Sequence, residues 1–324
     1  IEQVIQTAGK RRKNIELQKI QVDGKSYEMQ EVLRELKKML RNTVTEILYQ
    51  QEVQKLYRNQ IASITKLTAS YKNQLNAGNI SKAEYIRLKA QEVEFRKQLL
   101  SLQQEVEEQQ IELKSLLMMP AGSHIIVTDS LITPSNNYSE LNLAEWMREA
   151  GENRPDLLIA QNNELLARKN LEIQNALKTP DVTVSLGYDR GGNIMKDFVG
   201  VGISLDLPVF DRNKGNIQEA QIEVTKSGLE IRKSVLKSKN EINSVFQNYL
   251  RTRNIAAELD DEYENTLDGL LISHEKNFRL RNISMLEYMD FLETYIGNKT
   301  IILETKKELN EYFENLQYAV GKDL

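Results

Sequence analysis

The sequence predicts a mainly α protein built from long coiled-coil helical hairpins, with a small β part and two internal structural repeats. Three observations predict it. Proline is rare, at five in 324 residues, and apolar residues recur at helical spacing over stretches of about 60 residues. Segment 181–207 breaks that pattern and alternates with period two. A set of turn motifs recurs about 200 residues apart in the same order.

Composition narrows the function classes. Net charge is −4 with both signs interspersed, which leaves no basic block for nucleic acid and no acidic tail. Mean hydropathy is −0.51, and no apolar run reaches the ~18 residues of a transmembrane helix. There is no cysteine, hence no disulfide framework and no thiolate metal site. No catalytic triad, zinc spacing or phosphate loop is present, so no enzyme, cofactor or metal centre is expected. The chain opens on Ile1 rather than methionine, which suggests processing or a start inside a longer protein.

Taken in order, 1–7 alternates weakly, like the end of a strand. Lys10, Arg11, Arg12 and Lys13 follow as a basic cluster, suited to anionic headgroups or lipid A phosphates, or to plain solvation. A helix is then expected from about 14 to 75, roughly 90 Å long, which demands a bundle or coil. Gly78 offers a left-handed C-terminal cap, and Ser81 with Glu84 a capping box. The next helix runs to about 117, ahead of Pro120, and completes an αα-hairpin. In 121–154, SHIIVTD reads as a short strand, Pro134 to Tyr138 as a loop, and the stretch bearing Trp146 as a short helix. Pro155 and Asp156 then open a helix, a favoured first turn for both. After the β segment a second long helix is expected from about 216 to 278, a turn with Ser284 and Glu287, and a last helix to about 318.

In the β segment Val182, Val184, Leu186 and Tyr188 share one face and Thr183, Ser185, Gly187 and Asp189 the other. Val199, Val201, Ile203, Leu205 and Leu207 oppose Gly200, Gly202, Ser204, Asp206 and Pro208 in the same way. Each run is about the length of a tilted transmembrane strand. The alternation fits a barrel wall between lipid and lumen, and equally the edge of a sandwich.

The repeat is read from two matches. Lys13-Asn14-Ile15-Glu16 corresponds to Gly215-Asn216-Ile217-Gln218, and Gly78-Asn79-Ile80-Ser81 to Arg281-Asn282-Ile283-Ser284. The repeat unit is strand, long helix, turn, shorter helix. The domains expected are a first repeat (1–120), an equatorial linker (121–154) and a second repeat (155–324) containing the hairpin 181–207. By this symmetry a helix and most of a strand pair would precede Ile1.

Asn153-Arg154-Pro155-Asp156-Leu157, the strand VTVSLGYDR, the segment VGVGISLDLPVFDRNKGNIQEAQ and the turns NAGNIS and LRNIS, in that order, resemble the outer membrane efflux protein family, the TolC-like channels. The likeness runs over essentially the whole chain and points to the cation and drug efflux branch. It implies a homotrimer in a Gram-negative outer membrane. Each chain would give four strands to one 12-stranded β-barrel in outer membrane lipid, and the long helices a periplasmic α-barrel tunnel. The implied role is a passive exit duct, with no enzymatic activity. A periplasmic adaptor (membrane fusion protein) and an inner-membrane transporter of the resistance-nodulation-division type would dock at the helical tips.

Carried over by position, Gly78, Asn79 and Ser81 on one tip and Arg281, Asn282 and Ser284 on the other would meet the adaptor. The family often has glycine where Arg281 stands. Glu287 and Asp290, three apart on one helical face, match the acids of the periplasmic gate, and in a trimer would form rings of negative charge. Glu287 equally suits a capping role. Met118, Met119, Met285 and Met289 suit core filling better than soft-metal binding. A type I protein-secretion duct and a non-transport coiled-coil scaffold are the alternatives.

Overall fold

The computed structural model describes residues 1–129, 131, 143–191, 195–208 and 211–323. They divide into two compact units. The first comprises Ile1–Arg34, Ala144–Glu241 and Val320–Lys322, and the second Glu35–Leu143, Ile242–Ala319 and Asp323–Leu324.

The first unit holds an antiparallel sheet in the order β1 (Glu2–Ile5), β2 (Val182–Asp189), β3 (Phe198–Leu205). The register of β2 on β3 keeps the two faces distinct. Val182 pairs with Leu205, Val184 with Ile203, Leu186 with Val201 and Tyr188 with Val199. Between them Thr183 pairs with Ser204, Ser185 with Gly202 and Gly187 with Gly200. A slip of one residue would mix aliphatic and small residues on both faces. The aliphatic face is uncovered, with Val201 and Ile203 each 73% exposed. The expected strand end at the N-terminus is β1, paired with β2.

The strand ends are fastened where they meet the helices. Lys10, expected at the surface, is buried. Its Nζ donates to the Thr179 carbonyl and to Asp181 Oδ1, both at 2.7 Å. The Thr7 N–H also donates to Asp181 Oδ1, at 2.9 Å. Lys10 therefore leaves the basic cluster, because a carboxylate and a free carbonyl at the β2 entrance offer it a better partner than water.

Below the sheet, α4 (Pro155–Leu177) touches both the first part of α1 (Lys10–Asn76) and the first part of α5 (Lys214–Glu258). Lys169 of α4 pairs with Glu16 of α1 at 3.1 Å, and Asn213, just before α5, donates through Nδ2 to the Gln174 carbonyl at 2.9 Å. A Cβ on Gly24 of α1 would lie 2.5 Å from Asn162 Nδ2 of α4, and Asn162 is itself buried. Gly24→Ala should therefore displace the buried Asn162 side chain, at a cost of about 1 kcal/mol, the low end for overpacking. A melting temperature equal to that of the parent would show that Asn162 can swing away.

The second unit packs the rest of α1, α2 (Lys82–Leu116), the end of α5, α6 (Asp261–Arg279) and α7 (Met285–Val320). Leu56, Ile64, Leu88, Phe95, Phe278, Tyr288 and Leu292 lie at its core. Tyr57 of α1 meets Phe95 of α2 edge-on at 5.8 Å, and Phe278 of α6 stacks on Tyr288 of α7 at 4.6 Å. α1 has 67 residues, about 100 Å, and is continuous.

Two expectations are corrected. The second long helix is broken into α5 and α6. Asp260 is extended (φ −74°, ψ 175°), and its side chain accepts from the Tyr263 N–H. Asp261, Glu262 and Glu264 fill the first turn of α6, where the helix dipole favours acids. The run Asp-Asp-Glu was a start signal that the continuing apolar period obscured. SHIIVTD is not a strand. It finds no ladder, and the Ile125 carbonyl accepts instead from Gln110 Nε2 of α2. The short helix with Trp146 is α3 (Leu143–Asn153). The loop expected at 134–138 and the centre of the Gly-Gly loop lie outside the described residues.

Candidate functional site

The two tight turns of the second unit share the same backbone bonds. In the first, Ala77 N–H donates to Asn73 O, Gly78 N–H to Leu75 O and Asn79 N–H to Gln74 O. In the second, Leu280 donates to Lys276, Arg281 to Phe278 and Asn282 to Asn277. This is the left-handed helix ending expected at Gly78, and the second turn repeats it. Gly78 sits at φ +74° and Arg281 at φ +61°. Both turns lead into a capping box. The Ser81 N–H donates to Glu84 Oε2 at 2.8 Å, and the Ser284 N–H to Glu287 Oε2 at 2.7 Å. Those backbone bonds hold both carboxyls below the ordinary glutamate range.

The turns are tied to each other. Arg281 Nη2 donates to Gln74 Oε1 at 2.7 Å. A left-handed conformation costs a non-glycine residue about 1–2 kcal/mol, more than an exposed hydrogen bond returns. Arg281→Gly should therefore raise stability by about 0.5–1 kcal/mol while releasing the turns from each other. A fall in the denaturation midpoint would mean that the bond outweighs the strain. Glu287 is engaged as a cap, whereas Asp290, one turn on, is exposed and makes no hydrogen bond or ion pair among the described residues.

The helix-start motif of α4 has a content beyond its dipole. Arg154 is buried, 2% exposed. Its guanidinium forks onto Asp156 at 3.0 and 2.8 Å and reaches Glu241 of α5 at 2.9 Å. Arg34 of α1 lies 3.7 Å from the same Asp156. Gly321, at φ +80°, packs on the Arg154 backbone so closely that a Cβ would come within 3.2 Å of its N and Cα. Burial works against charge on Asp156, but the two guanidiniums and the Leu157 N–H outweigh it and hold the carboxyl below its usual range. Sequence reading treated Asp156 as a dipole acid. The arginine two residues before it was the signal of a pair.

Sequence reading also missed the outward faces of the helices. In α5, Ile222, Leu229 and Leu236 recur every seven residues, and in α1 Ile15, Val22, Met29 and Leu36 do so. In α2 the row is Ile86, Val93 and Leu100. All ten are exposed, by 41 to 69%. Each row lies two residues, about 200°, from an inward row. In α2 the inward row is Leu88, Phe95 and Leu102, all buried; in α5 it begins with Ala220 and Ser227, also buried. Solvated helix faces are polar. A sustained seven-residue apolar row has the period of a left-handed coiled-coil seam.

The four methionines do not gather. Met285 is in the core and Met289 packs against it, while Met118 and Met119 lie beyond the far end of α2, a helix of about 50 Å. Among the described residues no three His, Cys, Asp or Glu side chains form a metal-binding group. No helix among them is long and apolar enough to cross a membrane.

No family model matches the chain. The fold is nevertheless that of an outer-membrane efflux channel, as the sequence resemblance implied. The outer-membrane channel OprN superposes with a TM-score of 0.84 at 16% identity, covering 99% of this chain and 74% of that one. The outer membrane protein VceC from Vibrio cholerae gives 0.79 at 15% identity, over 99% and 78%. In sequence, the chain is 30% identical over 107 residues to the cobalt-zinc-cadmium resistance protein CzcC of Cupriavidus metallidurans. That match takes in 31% of this chain and only 25% of the relative.

Proposed function

We propose that the chain forms part of the exit duct of a tripartite efflux pump in the outer membrane. The observation that carries this reading is the pair of apolar seams left open on α1 and α5. In the first unit both helices touch α4, through Gly24 and Asn162 on the α1 side and Gly228 and Glu164 on the α5 side, and neither seven-residue row is covered. Such a layer has two sticky edges. When the edge of one copy meets the unlike edge of the next, the contact is heterologous, and it makes a ring where the rotation from copy to copy closes.

The sheet supports the same reading. Its outer strands β1 and β3 have no further neighbours among the described residues, and its aliphatic face is uncovered. Repetition around the ring would join the edges and put the aliphatic face in lipid, with the glycine and serine face on the lumen. Three copies, each with four strands counted over two structural repeats, make the 12-stranded barrel that the resemblance implies, above a helical tunnel.

The matching turns at Gly78, Asn79 and Ser81 and at Arg281, Asn282 and Ser284 are the proposed adaptor contacts, with an inner-membrane transporter behind the adaptor. Glu287 and Asp290 are the proposed gate acids. Likeness to CzcC favours metal cations as cargo.

The test is extraction of the full-length protein from outer membranes, followed by oligomer sizing and planar-bilayer recording. A detergent-requiring trimer with unitary conductance is expected, and Asp290→Asn should shift that conductance. A water-soluble monomer or dimer without conductance would overturn the duct and leave a scaffold.

A further inference from the structure

We propose that the junction of sheet and helices in the first unit is a binding belt for anionic phospholipid headgroups of the leaflet facing the helices. The inference rests on the outer-membrane reading and adds the partner of this surface. Segments 10–16, 178–181, 206–208 and 211–214 meet at one end of the sheet, where β1 leads into α1, α4 into β2 and β3 towards α5. They carry seven cations against four acids, in a chain whose net charge is −4. At the other end of the hairpin the charges cancel, with Asp189 and Asp197 against Arg190 and Lys196. The asymmetry therefore belongs to one end of the strands.

Most of the acids at the junction are engaged. Asp181 is held by Lys10, Glu16 lies between Lys169 and Arg12, and Asp211 accepts from the Asn213 N–H. The side chains of Arg11, Lys13, Lys178, Arg212 and Lys214 make no hydrogen bond or ion pair among the described residues, and all but the half-buried Lys13 are exposed. Some cations on the helices pair with acids three or four residues away, as in Lys25–Glu28, Arg168–Glu164 and Lys226–Glu223; these five do not. Five uncommitted cations at the level where a strand would leave a bilayer meet the phosphate plane. Each basic group near an anionic surface adds severalfold to affinity at low salt, and the effect is lost within about a Debye length.

The test uses the full-length protein in neutral detergent. Apparent affinities for short-chain phosphatidylglycerol and phosphatidylcholine are read from the concentration dependence of thermal unfolding. Phosphatidylglycerol should bind about tenfold or more tightly, and the ratio should fall towards one at high salt. Replacing Arg11, Lys13, Lys178, Arg212 and Lys214 by Gln should abolish the preference. A variant with the lysines among them changed to Arg should keep it, which separates charge from folding. Equal affinity for the two lipids, an unchanged preference in the Gln variant, or the same stabilisation by inorganic phosphate would overturn the belt. Failure of the protein to enter bilayers or to conduct would instead overturn the duct reading. Conduction without lipid preference would sink the belt alone.

Discussion

Arg154→Ala is expected to destabilise the protein by about 3 kcal/mol, the lower end of the range for breaking a buried ion pair. The lower end applies because the partners Asp156 and Glu241 keep 34% and 31% of their side chains exposed, so water relieves part of the cost. The loss has three sources. The fork onto Asp156 disappears, the bridge from α4 to α5 through Glu241 disappears, and two carboxylates come to face each other without the cation between them. Arg154→Lys restores the charge without the planar fork and should recover less than half of the loss. The pH dependence carries a sign. The Asp156 carboxyl is held below its unfolded value of about 4, so its contribution is complete above that value and drains away as pH falls through the lower, folded one. The difference between parent and Arg154→Ala should therefore narrow in acid. A gap that stays constant down to the acid transition would mean that Asp156 is not the partner that matters.

What was legible in the sequence follows from which interactions are local. The turns at Gly78 and Arg281 and the capping boxes of Ser81 and Ser284 are fixed by residues within five positions of each other, and the structure repeats them bond for bond. The strand faces were legible because alternation survives whatever the sheet packs on. The break at Asp260 was local as well, but it competed with an apolar period that runs straight through it. The long-range partners of Lys10 and Arg154 could not be read from sequence. Their partners, Asp181 and Glu241, lie 171 and 87 residues away, and a lysine beside two arginines resembles a solvated cluster until β2 is placed next to it. The seven-residue rows were visible all along. Their meaning was hidden because periodicity records an apolar stripe without saying whether the chain itself covers it.

Those stripes give the second large effect. Val22→Lys and Leu229→Glu, each made alone, should abolish the proposed trimer, since each removes about 1.5–3 kcal/mol of apolar burial per interface and places an unpaired charge in the seam. A closed ring multiplies the cost, because every copy contributes the altered residue to an interface. The double variant separates the ways in which edges can pair. If the α1 edge of one copy meets the α5 edge of the next, every interface of the double variant sets the introduced lysine near the introduced glutamate, and part of the assembly should return at low salt and vanish at high salt. If like edges met like, lysine would face lysine and the double variant would be worse than either single one. Both helices begin at the sheet, so Val22 and Leu229 lie about 18 and 22 Å along their axes, close enough for long side chains to meet. Sedimentation of the four proteins in detergent reads the result directly. A trimer that survives both single changes would put the seams outside the subunit contact, and the ring would then need another surface to close it.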